Sequence, residues 1–250
     1  LDKPIHEQYI TYVTGLLKGD LGTSLRTKRP VAVEVSNRYA NTAKLTLLAL
    51  TWSTIVGVLL GVWSGRHRSR WQDYTGMTLA VSGISLPSFW VGFMLIMVFS
   101  VNLKWFPTTG ADSLKSLVLP SIALGSSIAA IIARFTRSSI IEVLKDDYIR
   151  TARAKGLRER VVVWKHAFRN AMISVVTVVG LQFGFLLGGS VVTESVFAFP
   201  GLGSLLVESV NYRDYPAIQS LILIFSLHFV VINLIVDVLY AVLNPEIQLD

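Results

Sequence analysis

The side chains best suited to chemistry in this sequence sit in one polar block, Asp146 to Asn170, reading DDYIRTARAKGLRERVVVWKHAFRN. From Arg134 to Arg169 there are ten Lys/Arg and only four Asp/Glu. Guanidinium and ammonium groups at that density suit ionic recognition of a partner surface. They supply no nucleophile and no acid–base pair. Elsewhere Ser85 and His228 could imitate a serine–histidine pair, but GISLP lacks the GxSxG form of a nucleophile elbow and no orienting acid is evident. The four histidines, His6, His67, His166 and His228, have no metal-ligand spacing, and there is no cysteine. A GxxxxGK[ST] phosphate loop is absent, so the chain is not expected to bind ATP itself. These residues predict no catalytic site, no metal site and no cofactor in this chain.

What must position the basic block is an apolar scaffold. Of 250 residues 52% are hydrophobic and 16% charged, whereas soluble domains carry about a quarter charged residues. The net charge of +7 does not imply nucleic acid. Thirteen of the 23 Lys/Arg fall in two short loops, 64–74 and 134–170, each between apolar runs. Lys and Arg are retained on the cytoplasmic side during insertion, so both loops are expected there. Within the second loop, Tyr148, Ile149, Ala152, Ala154 and Leu157 alternate with charges, and Gly156 interrupts before Val161–Trp164. That pattern predicts a short helix, a turn at Gly156 and a second helix returning to the membrane.

Taken in order, residues 1–43 predict an external segment. Ile10, Tyr12, Val13, Leu16 and Leu17 share one helical face, GDLGTSL at 19–25 forms a turn, and Val31–Tyr39 forms a second amphipathic helix. Membrane spans are expected at about 45–63, 76–103, 117–136, 172–192 and 218–243, since about 20 apolar residues cross a bilayer. Asn41 or Thr42 is expected to cap the first. Pro87 is expected to kink the second. Pro120 is expected in the first turn of the third, which continues as a polar extension through Arg134, Arg137 and Glu142. In the fourth, Gly180, Gly184 and Gly188 form overlapping GxxxG motifs that permit close helix approach. The fifth carries His228, Asn233 and Asp237, and Asn244-Pro245 ends it before a cytoplasmic tail at 244–250. The fold class is therefore all-α and polytopic, with five spans, the N-terminus outside and the C-terminus cytoplasmic. An external N-terminus without a signal predicts one further span upstream of Leu1.

RTARAKG at 150–156 resembles the cytoplasmic loop of permease subunits in binding-protein-dependent ABC importers. In the wider superfamily that loop begins Glu-Ala-Ala; here Arg150 and Thr151 replace the first two residues, while Ala152 and Gly156 fit. The departure is typical of the dipeptide, oligopeptide, glutathione and nickel branch. GDLGTSL, LQFGFLLGGS at 181–190, FAFPGLG at 197–203, RDYPAIQ at 213–219 and NLIVDVLYAVLNP at 233–245 support that branch, and the resemblance covers essentially the whole chain.

The resemblance implies a type I importer transmembrane domain in the cell's inner membrane, completed by an extra N-terminal span. It implies as partners a homologous second permease, two cytoplasmic ABC ATPase subunits that bind ATP and magnesium, an extracytoplasmic substrate-binding protein and the lipid bilayer, and no nucleic acid. It further implies an ATPase-coupling loop within 137–170 formed by Asp147, Tyr148, Arg150, Thr151, Ala152, Arg153, Ala154, Lys155 and Gly156. Gln182, Gly184, Gly188, Gly189 and Ser190 are candidates for the translocation path, and Glu194, Phe199, Pro200 and Gly201 for the outer mouth. The expected cargo is di- or oligopeptides, glutathione included; a nickel or metal-chelate importer is the alternative, and a stand-alone secondary transporter a distant one. Within 193–216, Glu194, Glu208 and Asp214 are expected to make the mouth acidic.

Overall fold

The computed structural model describes residues 4–243. Among them the chain is helical throughout, apart from its turns and one isolated antiparallel bridge between Thr23 and Pro30. A first helix, α1 (Ile5–Leu17), is followed by α2 (Val31–Arg66), α3 (Trp71–Ser85) and α4 (Ser88–Leu95), the last continued by a π-helical stretch, Ile96–Asn102. Then come α5 (Leu114–Val143), α6 (Asp147–Ala154), α7 (Glu159–Val161), a second π-helical stretch (Val162–Ala167), α8 (Phe168–Val196), α9 (Leu202–Asn211) and α10 (Tyr215–Leu243). Four helical segments are long and apolar enough to cross a membrane, and α3 with α4 makes a fifth if the bent pair counts as one span. The expected tail at 244–250, with Asn244-Pro245, lies outside the described residues.

Several boundaries differ from the sequence expectation. The amphipathic segment 31–39 and the span 45–63 are one continuous helix of 36 residues, roughly 54 Å at 1.5 Å per residue. Asn41 and Thr42 therefore cap nothing in α2; they lie on its side and reach another element. The second span is not kinked but broken: α3 and α4 meet at 100°. Proline's ring excludes the preceding residue from the helical region, and Leu86 is extended (φ −92°, ψ 125°), as is Pro87. Pro120 is inside α5, not in its first turn, because the helix begins earlier, at a Ser113–Ser116 capping box. The polar extension of α5 past Arg137 and Glu142 forms as expected.

α5 is the hub. Of its apolar window 72% is buried, against 17% for α10, so α10 leaves most of its length to lipid or other chains. α2 lies against α5 through Gly57, Gly61 and Gly65. A Cβ at Gly57 would stand 2.7 Å from the Ala129 carbonyl, and one at Gly61 2.6 Å from that of Ala133. Without a hydrophobic drive between helices in lipid, such backbone approach is what packing has to offer. Trp52 then crosses to α5, its indole N–H donating to the Ser121 carbonyl at 2.9 Å over Gly125. The sequence holds this GxxxGxxxG run in plain view, yet the comparable run in α8 drew the expectation.

Candidate functional site

At the end of the bundle where α2 and α5 finish, the basic block folds as its pattern predicts. Helix α6 stops in a Schellman turn: Gly156 N–H donates to the Arg153 carbonyl (2.9 Å) and Leu157 N–H to that of Ala152 (3.3 Å). Gly156 carries φ +77°, a conformation that favours glycine. The two faces of α6 do different things. Ile149 and Ala152 are buried against Val162, Ala167, Val143 and Leu144, which fastens α6 to the start of the α7–α8 rod. Asp147, Tyr148, Arg150, Thr151, Arg153, Ala154, Lys155 and Gly156 are exposed. The small side chain of Ala152, one of the residues expected in the coupling loop, lets α6 approach its own chain.

Two side-chain links stiffen the loop. Arg153 makes a bidentate pair with Glu159 (2.8 and 3.2 Å), tying α6 to α7 across the turn. Asn170 Nδ2 donates to the Tyr148 hydroxyl at 2.7 Å, and partial burial pushes that phenol above its ordinary range. Arg150 pairs with Asp147 one turn away, both largely exposed, a contact of small energetic weight.

Close by, a cluster that sequence reading passed over joins three helices. Asp73, 3% exposed, accepts both Nε (2.5 Å) and a terminal nitrogen (2.7 Å) of Arg137, together with Ser64 Oγ (2.6 Å) and the Ser69 amide (3.0 Å). The only hint in the sequence is an acid among the basics of 64–74. Its partner is 64 residues away, which local pattern cannot supply.

At the other end, the expected outer-mouth residues converge, but not as a solvated rim. Glu194 and Phe199 are fully buried and Gly201 is buried, while Pro200 is exposed. The Glu194 carboxylate accepts the Thr42 hydroxyl (2.7 Å) and the Ser204 amide (3.0 Å), with the Gly203 amide also directed at it. Ser204 and Gly203 are in the first turn of α9, whose cap residue, Gly201, has no side chain to offer. Glu194 thus caps α9 from another helix, its carboxyl oxygens taking donors at the positive end of the helix dipole. Thr42 completes it by accepting the Leu202 amide at 2.8 Å, and Asn41 Nδ2 donates to the Pro200 carbonyl at 2.9 Å. A Cβ at Gly201 would lie 2.4 Å from the Glu194 carboxyl and one at Gly203 2.5 Å from Val191 Cα, which explains FPGLG.

Glu208 and Asp214 are also committed. Glu208 pairs with Arg26 (3.1 Å) and Arg38 (3.2 Å). Asp214, 2% exposed, accepts the Ser24 hydroxyl and the Leu25 amide (3.0 Å). Desolvation raises both carboxyls, but these partners outweigh it and hold each below its ordinary value. The expected acidic mouth is therefore a set of internal ties.

The path candidates do not gather on one face of α8. A Cβ at Gly180 would lie 2.3 Å from Val236, and one at Gly184 3.2 Å from Phe229, so both serve packing on α10. Ser190 is buried and donates to its own helix at Leu187; Gln182 is half-buried. Gly188 has nothing within 4 Å and Gly189 only Leu124 at 3.6 Å. Gly188 belongs to an exposed stripe with Leu181, Phe185 and Val192. Ser85 and His228 are engaged separately: Ser85 donates to the Val81 carbonyl (2.9 Å). His228 Nδ1 lies 2.8 Å from the Ile224 carbonyl and Nε2 2.6 Å from the Tyr39 hydroxyl. Since a carbonyl only accepts, Nδ1 carries the proton and Tyr39 donates to Nε2.

Known proteins share both this sequence and this fold. Residues 57–249 match the family described as binding-protein-dependent transport system inner membrane component. The chain is 55% identical over 248 residues to the glutathione transport system permease protein of Escherichia coli K12, covering 99% of this chain and 81% of that one. The proteins of the same name from Salmonella typhimurium LT2 and Pectobacterium atrosepticum match at the same identity and coverage. Among solved structures, inward-facing conformations of a methionine ABC transporter superpose with a TM-score of 0.73 at 18% identity, covering 84% of this chain and 96% of that one. An amino acid ABC transporter superposes at 0.63 and 17% identity, covering 83% and 92%. Both likenesses concern the fold.

Proposed function

We infer, from a chain that belongs to the family of inner membrane components of binding-protein-dependent transport systems, that α6 is the element through which ATP hydrolysis on other subunits drives import. As an ABC importer permease the chain is a multi-pass membrane subunit. The coupling role is carried by one observation: α6 is fastened by Ile149 and Ala152 to the α7–α8 rod while its charged face stays open. A push on Tyr148, Arg150, Thr151, Ala154 or Lys155 then passes through Ile149 and Ala152, and through the Arg153–Glu159 pair, into a helix that crosses the bundle.

Two cytoplasmic ABC ATPases would supply the push, binding ATP and magnesium themselves. One chain has too few helices to enclose a solute path, so a homologous second permease would complete it, with an extracytoplasmic binding protein delivering cargo. The exposed stripe of α8 through Leu181, Phe185 and Gly188 is the stretch proposed to face the path, in place of Gly184 and Ser190, which are used inside the chain. The cargo is proposed to be glutathione or related short peptides, supported by the name borne by relatives at 55% identity.

The test uses the full transporter in proteoliposomes. Gly156 has no atom within 4 Å of a Cβ position, so Gly156→Leu projects outward and strains only its own left-handed backbone, by about 1–2 kcal/mol. Expected is normal assembly, retained ATP hydrolysis and at least a tenfold loss of glutathione uptake. Gly156→Asn, which tolerates that backbone, keeps most uptake. Wild-type uptake in the leucine variant refutes the coupling role.

A further inference from the structure

Helix α1 presents an apolar face that the bundle leaves uncovered. None of its 13 residues is buried, and Ile5, Tyr9, Ile10 and Leu17 are 85%, 68%, 58% and 84% exposed. At 100° per residue, Ile5, Tyr9, Ile10, Tyr12, Leu16 and Leu17 fall within an arc of about 160°, with His6 inside it. Glu7, Thr11 and Thr14 occupy the opposite side, the two threonines returning their hydroxyls to the Glu7 and Ile10 carbonyls.

The level at which α1 sits is fixed by the turn between it and α2. The Leu21 carbonyl accepts Ser220 Oγ at 2.8 Å, a Cβ at Gly22 would touch Pro216 at 3.5 Å, and Asp214 receives Ser24 and Leu25. All three ties are to the start of α10, Asp214 just before it and Pro216 and Ser220 in its first two turns, and α10 is a helix apolar enough to span. The start of a spanning helix marks the membrane–water boundary, so the chain leaves α1 at that boundary, away from the basic loop. At 13 residues, about 20 Å, α1 is too short to cross. Its tyrosines have the amphipathic rings that settle at headgroup level.

We propose that α1 is an interfacial helix, lying in the membrane plane with lipid covering its apolar arc and Glu7, Thr11 and Thr14 in water. The occupant is lipid because the turn that follows α1 is tied to the start of a spanning helix, α10, whose Ile222 and Leu223 are exposed apolar side chains within its next turn. α1 would set the height of the adjoining 19–30 turn, and with it that of Arg26 and Arg38 on Glu208, against the bilayer.

The chain has no cysteine, so single cysteines can be introduced in the full-length protein, assembled with cysteine-free partners in phosphatidylcholine–phosphatidylglycerol nanodiscs. Tyr9→Cys and Leu17→Cys report one face, Glu7→Cys and Thr14→Cys the other, each labelled with bimane. Expected is blue-shifted emission at Tyr9 and Leu17, several-fold stronger quenching there by headgroup-proximal spin-labelled lipid, and the reverse order with iodide. Iodide quenching both faces alike overturns the proposal. So does protection of Tyr9 and Leu17 from both quenchers with crosslinking to another subunit, which makes the occupant protein. Uptake is not the readout, so neither result depends on the cargo.

Discussion

Removing the Glu194 carboxylate by Glu194→Ala should destabilise the subunit strongly, by unmaking the junction of three helices. In the folded chain the Thr42 hydroxyl and the amides of Ser204 and Gly203 all point at that group. The hydroxyl can rotate to another acceptor; the two amides cannot. Each buried donor left without a partner costs about 1–3 kcal/mol, so the pair gives roughly 4 kcal/mol. For a chain of this size each kcal/mol moves the melting temperature by about 2–4 °C, which predicts a fall of about 8–16 °C. Glu194→Gln keeps one acceptor oxygen and should lose about half as much. Glu208→Ala is the control: its partners Arg26 and Arg38 are 41% and 28% exposed, and ion pairs open to solvent to that extent are worth about 1 kcal/mol or less. Tryptophan-fluorescence melting of the purified full-length protein in mild detergent reads all three. A Glu194→Ala variant melting within about 2 °C of wild type would show that α9 is not capped from α8.

Gly180→Leu should separate α8 from α10, since even a Cβ there meets Val236 at 2.3 Å, lowering stability by about 1–3 kcal/mol. Gly188→Ala, in open space, should change melting by under about 0.5 kcal/mol; similar losses in both would contradict the packing. Arg137→Ala leaves Asp73 buried without its cation and should cost on the order of 3 kcal/mol, most of it recovered when Asp73→Asn is added; an additive double mutant would argue against the pair. Asp214 gives a pH prediction. Its folded carboxyl titrates below the ordinary 3.8, so its contribution is complete above about pH 4 and disappears as pH falls through the folded value. The melting difference between wild type and Asp214→Asn should therefore shrink as pH is lowered from 6 towards 3; a constant difference would refute it.

The spans and the basic loop were legible because hydropathy and local turn chemistry encode them. Gly156 illustrates this: the block's own periodicity stops there, and the backbone turns left-handed at that residue. Glu194 illustrates the opposite. In sequence it is one acid near a Pro-Gly turn, indistinguishable from a solvated rim residue, and its meaning depends on Thr42, 152 residues away. Thr42 itself looked like a cap for its own helix and serves another. At Pro87 the residue type foretold disruption but not its size, because the angle of a break is set by what the second half packs against: Gly92 there sits against Phe197 and Val196. The division of labour on α6 was hidden for the same reason, since Ala152 is small enough for either face.

The unbroken length of α2 has a mechanical consequence. It is a rod of roughly 54 Å, pinned to α5 by Gly57 and Gly61 towards its C-terminal end, with Thr42 holding α9 beyond one side of that pivot and Ser64 holding Asp73 beyond the other. No proline or glycine pair interrupts it to absorb bending. A rocking of about 10° about that pivot would carry the far tip about 7 Å one way and the near tip about 2 Å the other, by the lever arms that 1.5 Å per residue gives. Displacement at one membrane surface is thus felt at the other without a hinge, as a seesaw rather than a relay.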